Sequence, residues 1–331
     1  MIKVHERNQK LRRIFKYGCL IFGIAALAVG TWLVSFTRNC IATNECGMLQ
    51  EVRGFIALAS VRAGHQPGPQ PATSECGCHD DGCGIPHPVQ TPITPADEDA
   101  MRTPGELNPP FVSSDRHFPY AKVLEDPNNF RHIQCETQCV MRMASDIPTF
   151  ENLDAAQTRL ATRDGVPWHT FVLKAYGEWY EDNAALMPET TRLLKGADNQ
   201  ISAAILSILE PGKHIVSHCG AMRSVYRYHL GLQVDEANDA YIQVEDLTYH
   251  WKEGEGVMFD DAFRHEVKSE AFHNTSFRVV LFMDIYRDDL PLGSKSLHQF
   301  GEWLTRQSPI ISEAKVKAQA MTQKHDHICH C

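Results

Sequence analysis

The stretch SHCGAMRSVYRYHLGL, residues 217–232, places His218 two positions before Gly220 and ahead of Arg227 and His229. Neutral imidazole is a good ligand for iron, zinc or copper. A second histidine, His265, stands well downstream in FDDAFRHEV. Each of the two is expected to follow a turn and open a strand, so that they meet across the mouth of a barrel. The common non-haem iron arrangement would carry Asp or Glu at position 220, where this chain has glycine. Arg227 and Arg278 lie in otherwise apolar strands. A cation pointing into a barrel is costly unless it meets an anion, and the arginine fork suits a dicarboxylate. A histidine pair with buried arginines therefore points to a metal and an anionic cosubstrate in one cavity. The competing reading has the arginines in solvent and the histidines scattered, since the chain holds 17 His.

The elements that must position these residues form a β-rich region beginning near Trp168. Strands are expected at 168–174, 202–209, 225–232, 240–244, 248–252, 256–260, 264–268 and 277–285, divided by turns such as EPGK, KEGEG and FDDAF. Many short strands at close spacing predict a mainly β fold, a sandwich or small barrel of the jelly-roll kind. Helices are expected at 128–144, from Pro188, and at 294–306 and 313–324. Cys135 and Cys139 fall on one face of the first of these, side by side but poorly placed for a mutual disulfide. Residues 63–110 are rich in Pro, Gly and polar residues, bury too little to fold alone, and read as linker. No repeat is visible.

Ahead of this lies a different segment. Residues 17–36 carry no charge and are about the ~20 residues a bilayer-spanning helix needs. Lys3, Arg7, Lys10, Arg12, Arg13 and Lys16 precede the run, so the positive-inside rule keeps the N-terminus in the cytosol and sends the rest across. The expected order is a basic cytosolic segment (1–16), a transmembrane anchor (17–36), a Cys- and Pro-rich linker (37–110), the catalytic domain (111–290), and C-terminal helices with a His/Cys tail (291–331). A short helix near the membrane is expected at 47–62. The net charge of -9 argues against a nucleic-acid partner, which needs a basic face. The 11 cysteines suit an oxidising compartment and disulfides. A zinc site at Cys76, Cys78, His79 and Cys83 fits no standard spacing well. The tail, with His325, His327, Cys329, His330 and Cys331, could bind metal but reads first as frayed.

The motifs EPGKHIVSHCG, RYHLGL, KEGEGVMFDDAFRHEV and SFRVVLFMDIYR, within about 118–287, resemble the aspartyl/asparaginyl β-hydroxylase family. That family comprises iron(II)- and 2-oxoglutarate-dependent dioxygenases and includes lipid A 2-hydroxylase-like members. The resemblance implies a double-stranded β-helix (jelly roll, cupin-like) with flanking helices. It implies O2 as co-reactant and iron held by His218 and His265 alone, with Gly220 at the carboxylate position. It implies that Arg278 and Ser207 hold the distal carboxylate of 2-oxoglutarate, with Arg227 and His229 near the other and Trp168 lining the pocket. It gives Cys219 no role. The substrate is expected to be the β-carbon of Asp or Asn in a peptide or protein, with a lipid acyl chain as the alternative. A catalytically silent, membrane-anchored binding protein is the reading from another class. A type II protein with a lumenal domain is expected, which would make the sequon at Asn274 matter. A bacterial inner-membrane protein with a cytosolic domain is the alternative.

Overall fold

The computed structural model describes residues 87–89, 91–102, 108–153, 164–220, 222–235, 239–269, 277–290, 294–320, 322, 329 and 331. The expected anchor, the helix at 47–62, the cysteine cluster around Cys76 and the sequon lie outside these residues. Among the described residues no helix is long and apolar enough to cross a membrane.

Among the described residues, twelve strands run in chain order as β1 (His87–Pro88), β2 (Phe111–Val112), β3 (Trp168–Ala175), β4 (Glu178–Trp179), β5 (Ile201–Leu209), β6 (His214–His218), β7 (Val225–Gln233), β8 (Tyr241–Val244), β9 (Leu247–His250), β10 (Gly256–Phe259), β11 (His265–Lys268) and β12 (Arg278–Tyr286). They form a seven-stranded sheet, β2-β10-β7-β12-β5-β3-β4, and a five-stranded sheet, β1-β9-β8-β11-β6. From β5 to β12 the chain alternates between the two sheets: β5, β7, β10 and β12 belong to the larger, and β6, β8–β9 and β11 to the smaller. This is the winding of a jelly roll, which manages its sheet edges by wrapping two sheets on each other.

The period-2 pattern divides the long strands cleanly. Leu206, Ile208, Tyr228, Leu230, Val279, Leu281 and Met283 face outward into a helix-covered core. Their neighbours Leu209, Val257, Phe259 and Val280 face inward and meet Ile215, Ile242, Val244 and Val267 of the small sheet. Each such aliphatic side chain contributes about 1.5–3 kcal/mol on burial. A one-residue slip would exchange the two faces, so the register is strongly specified.

Among the described residues, five helices of seven or more residues flank the sheets: α1 (Pro95–Met101), α2 (Pro127–Met141), α3 (Pro188–Lys195), α4 (Ser294–Arg306) and α5 (Pro309–Gln319). Buried Glu136 of α2 accepts from the backbone N–H of Glu189 (2.8 Å) and of Thr190 (2.9 Å) and from the Thr190 hydroxyl (2.6 Å). A carboxylate at those first-turn donors satisfies orphan N–H groups and complements the helix dipole, which fixes α2 against α3.

Several expectations are corrected. His218 closes β6 and does not open a strand; the preceding HIVSH segment is the strand itself. The fold begins before residue 111. β1 pairs parallel with β9, and α1 is closed by a Thr94–Asp97 capping box that supports buried Glu98. The last helix starts at Pro309, whose fixed φ suits a first helical position. The tail is not frayed at its cysteines, because Cys135 pairs with Cys331 and Cys139 with Cys329. Those sulfurs therefore cannot serve as metal-binding thiolates. Cys219 is also disulfide-bonded.

Candidate functional site

The register of the large sheet gathers the predicted residues onto its inward face. Trp168 and Arg278 both lie opposite Leu209, and Ser207 lies between Thr170 and Val280. His229 lies between Phe282 and Val257, and Arg227 between Asp284 and Phe259. The small sheet supplies the facing pair. His218 at the end of β6 pairs in register with His265 at the start of β11, and their ring centroids are 4.2 Å apart.

Both histidines are oriented from behind. His218 Nδ1 donates to the Val216 carbonyl at 2.8 Å, and His265 Nδ1 to the Phe263 carbonyl at 3.0 Å. A carbonyl can only accept, so each ring carries its lone pair on Nε2, the tautomer a metal ligand requires. Burial, then the neighbouring His218 and Arg227, push His265 well below the usual histidine range and keep it neutral. Among the described residues no carboxylate, thiolate or third histidine joins these two in a three-ligand cluster.

Gly220 is required by its neighbour. Its N–H donates to the Asp261 carbonyl at 2.6 Å, and a Cβ at this position would overlap the Asp261 carboxylate. That carboxylate is buried and meets Arg227 Nη2 at 2.8 Å, while Arg227 Nε donates to Asp284 at 3.1 Å. Arg227, expected beside a carboxylate of the cosubstrate, thus stands between two carboxylates of the chain. Two carboxylates already compensate it, and its plane rests on the Phe282 ring at 4.3 Å.

Arg278 is different. It is 1% exposed, and its hydrogen bond among the described residues runs from Nη1 to the Ser207 carbonyl at 3.4 Å. No carboxylate among the described residues pairs with it, and its Nε has no partner there. Burial alone pushes its pKa down to about 9. Its guanidinium lies 4.4 Å from the centre of the Trp251 ring. Trp251 Nε1 and both ring nitrogens of buried His229 also lack partners among the described residues. Burial, then Arg278, Arg227 and His265, hold His229 well below its usual range. Trp168 Nε1 donates to the Ser207 hydroxyl at 3.0 Å and stacks on Phe150 at 4.0 Å. Buried donors without partners are costly and mark a place where a ligand completes the bonding. A cation, an indole N–H and a neutral imidazole together fit a buried carboxylate.

The structure thus brings Trp168, Ser207, Arg227, His229 and Arg278 to one face and His218 and His265 opposite. Sequence reasoning missed Trp251, Asp261 and Asp284. Asp284 carried a usable signal: it shares the inward period of Arg278 in an otherwise apolar strand. A separate group, His117 with Asp288 and Asp289, has metal-like spacing. Asp289 is already taken by Arg287 (2.8 Å) and the Tyr226 hydroxyl (2.8 Å), and His117 by Glu98 (3.2 Å), so it is an ion-pair network.

A jelly roll whose inner faces oppose a histidine pair to a buried, uncompensated arginine defines a barrel protein with a candidate metal and anion pocket. Residues 127–288 match the family described as Aspartyl/Asparaginyl beta-hydroxylase, and this part of the chain belongs to that family. The chain is 36% identical over 197 residues to an ornithine lipid ester-linked acyl 2-hydroxylase of Rhizobium tropici, covering 59% of this chain and 65% of that one. It is 27% identical to human aspartate beta-hydroxylase domain-containing protein 2, covering 58% and 51%. It is 30% identical over 168 residues to human aspartyl/asparaginyl beta-hydroxylase, covering 49% and 20%. The chain therefore spans less than two thirds of the length of each of these curated relatives.

Proposed function

We propose that the chain is an iron(II)- and 2-oxoglutarate-dependent dioxygenase that hydroxylates an unactivated C–H bond. The observation that carries this is Arg278: a cation buried without a counter-charge among the described residues, behind a pair of histidines whose tautomers are set for ligation. His218 and His265 would hold the metal through Nε2. Arg278 would take the distal carboxylate of 2-oxoglutarate, with the Ser207 hydroxyl steadied by Trp168 beside it. His229 and Trp251 would bound the same pocket. Arg227, compensated by Asp261 and Asp284, acts as a strut and keeps the Gly220 side of the site formed. Bound iron(II) would supply O2 activation, with 2-oxoglutarate giving up two electrons as it becomes succinate and CO2. The protein's contribution is orientation and exclusion of water, which strengthens every charge contact inside.

For the substrate, an ester-linked acyl lipid moves ahead of the Asp or Asn side chain favoured by the motifs. The support is the 36% identity to the lipid hydroxylase, against 27% and 30% for the aspartate-hydroxylase relatives. The peptide reading stays as the second, since the matched family bears that name. We further propose a single-pass protein anchored by 17–36 with the domain on an oxidising side, which the disulfides to Cys331 and Cys329 support.

The full chain, supplied with iron(II), 2-oxoglutarate and ascorbate, is expected to form succinate faster with ester-linked acyl lipid. His218→Ala and His265→Ala are each expected to abolish this. Stimulation by an EGF-like peptide and not by lipid would reverse the substrate order. Succinate formation undiminished in both variants would sink the assignment of the pair.

A further inference from the structure

Helix α4 is built inside out. Its residues facing the sheet are polar: His298, Glu302 and Thr305 are buried, with Gly301 between them. His298 contacts the Ser224 hydroxyl, and Glu302 accepts from Ser202 and from the Tyr286 hydroxyl. The opposite face carries Leu297, Phe300, Trp303 and Leu304, between 39% and 55% exposed. Phe300 and Trp303 stack with centroids 5.8 Å apart. Ile310 and Val316 of α5 are exposed as well. Lys295 and Arg306 stand at the two ends of α4 and bond, among the described residues, to the backbone carbonyls of Asn199 and Tyr176 and not to carboxylates. Globular helices turn their apolar stripe to the core, so a helix with aromatic and leucine residues outward marks an interaction surface.

We propose that this face of α4 lies on the surface of a lipid bilayer. Trp, Phe and Leu on one side with cations at the ends is the composition of a helix lying in the membrane interface. The occupant is favoured over a second copy of the chain by the uncharged run at 17–36, which is long enough to span a bilayer. A span in the same chain makes the encounter of α4 with that bilayer intramolecular, so a small apolar face suffices. The placement bears on the site. Ser224, held by His298, lies in the connection leaving His218, and Tyr286, held by Glu302, pairs with Val225 at the start of β7. The apolar face therefore flanks the end of the large sheet nearest the histidine pair. The inference rests on the anchor reading and holds for either substrate.

The test uses the full chain reconstituted in vesicles of phosphatidylcholine and phosphatidylglycerol whose acyl chains are brominated just below the headgroup. The Trp303 contribution to fluorescence is the difference between the wild type and Trp303→Phe. It is expected to fall about twofold against unbrominated vesicles, and Phe300→Ser/Leu304→Ser is expected to restore most of it. Circular dichroism melting checks that this variant, altered only at exposed positions, remains folded. A chain that floats with the vesicles but keeps its Trp303 emission overturns the docking while leaving the anchor intact. Trp303 shielded from an aqueous quencher but untouched by bromine, in a chain that runs as a dimer, assigns the face to self-association and overturns the proposal. A chain that fails to float removes the tether and the docking with it. None of these readings involves turnover, so failure of the proposed reaction is seen separately.

Discussion

At the scale of single residues, Arg278 is the buried side chain on which the proposed function rests. Among the described residues it is held in the barrel by one long hydrogen bond and the Trp251 ring. An uncompensated buried charge is destabilising, and its replacement by an apolar residue of similar length is often neutral or favourable. Arg278→Met is therefore expected to raise the stability of the ligand-free protein by roughly 1–3 kcal/mol. It is expected to weaken 2-oxoglutarate binding by at least ~100-fold, from the loss of about 3 kcal/mol of charge-assisted contact. Thermal melting without ligand and calorimetric titration with 2-oxoglutarate measure the two effects. A variant that melts lower and binds normally would show a structural arginine. The sequence pointed to Arg278 on physical grounds, because a charge in an apolar strand is conspicuous. It pointed to Arg227 on the same grounds but did not show the two carboxylates that meet it. Asp261 and Asp284 compensate that cation from the loop before β11 and from β12, and pairing across such distances is set by register, which no local pattern displays. Ser207 and Trp168 came from resemblance alone, since a strand serine and a core tryptophan have no distinctive spacing.

At the scale of elements, the long strands and the helices α2, α3 and α4 were readable, while β6, the two-residue strands and helix α1 were not. Alternation in β3, β5, β7 and β12 is strong because each has one face in the helix-covered core and one in the barrel. The short strands β1, β2 and β4 have two residues each, too few for a period to register. Helix α1 hid in a segment that looked like linker because its anchor is a charge. Buried Glu98 accepts from the Ser113 N–H (2.9 Å) and Arg116 (2.9 Å) and bonds with His117 (3.2 Å), and so ties α1 to the chain after β2. Burial pushes the Glu98 carboxyl up, but bonds to His117, Ser113 and Arg116 outweigh it and hold the carboxyl below its usual range. Burial likewise lowers His117, and Glu98, Asp289 and Asp288 raise it above its usual range on balance. The two signs define a window. The Glu98 contribution is complete above its unfolded value of about 4.3 and is lost as pH falls through the lower folded value. The His117 contribution is complete below about 6.5 and is lost as pH rises through the higher folded value. His117→Gln is therefore expected to cost about 1 kcal/mol more at pH 6 than at pH 9, a difference of roughly 3 °C in Tm. The ring contact with Tyr226 is lost at both pH values, so the difference isolates the charge. Equal losses at the two pH values would show that His117 packs without carrying a proton.

At the scale of the whole molecule, the two disulfides to α2 decide how the C-terminal part is held. They join positions 196 and 190 residues apart, so the end of the chain is tied back to the first long helix of the fold. The Cys329 N–H also donates to the Leu186 carbonyl at 3.1 Å, just ahead of α3. Between these ties run α4 and α5, the former attached to the sheets through polar contacts. The two bridges are not equivalent thermodynamically. Whichever forms first closes a loop of nearly the whole described fold, whose denatured-state entropy is worth about 5 kcal/mol at most. The second then closes only the small ring between neighbouring bridges, worth about 2 kcal/mol. Cys139→Ser/Cys329→Ser is therefore expected to cost roughly 2 kcal/mol, and removing all four sulfurs roughly 5 kcal/mol or more. Denaturant titration of the oxidised proteins measures both. The same asymmetry predicts that reductant has its larger effect when the second of these bridges opens. Opening one of these two bridges in the wild type should leave Tm near that of the single-bridge variant, and complete reduction should bring the wild type to the Tm of the equally reduced four-fold variant, since the Cys219 disulfide opens in both. Equal, additive losses from each bridge would contradict the nested-loop account and place their effect in local packing against α2.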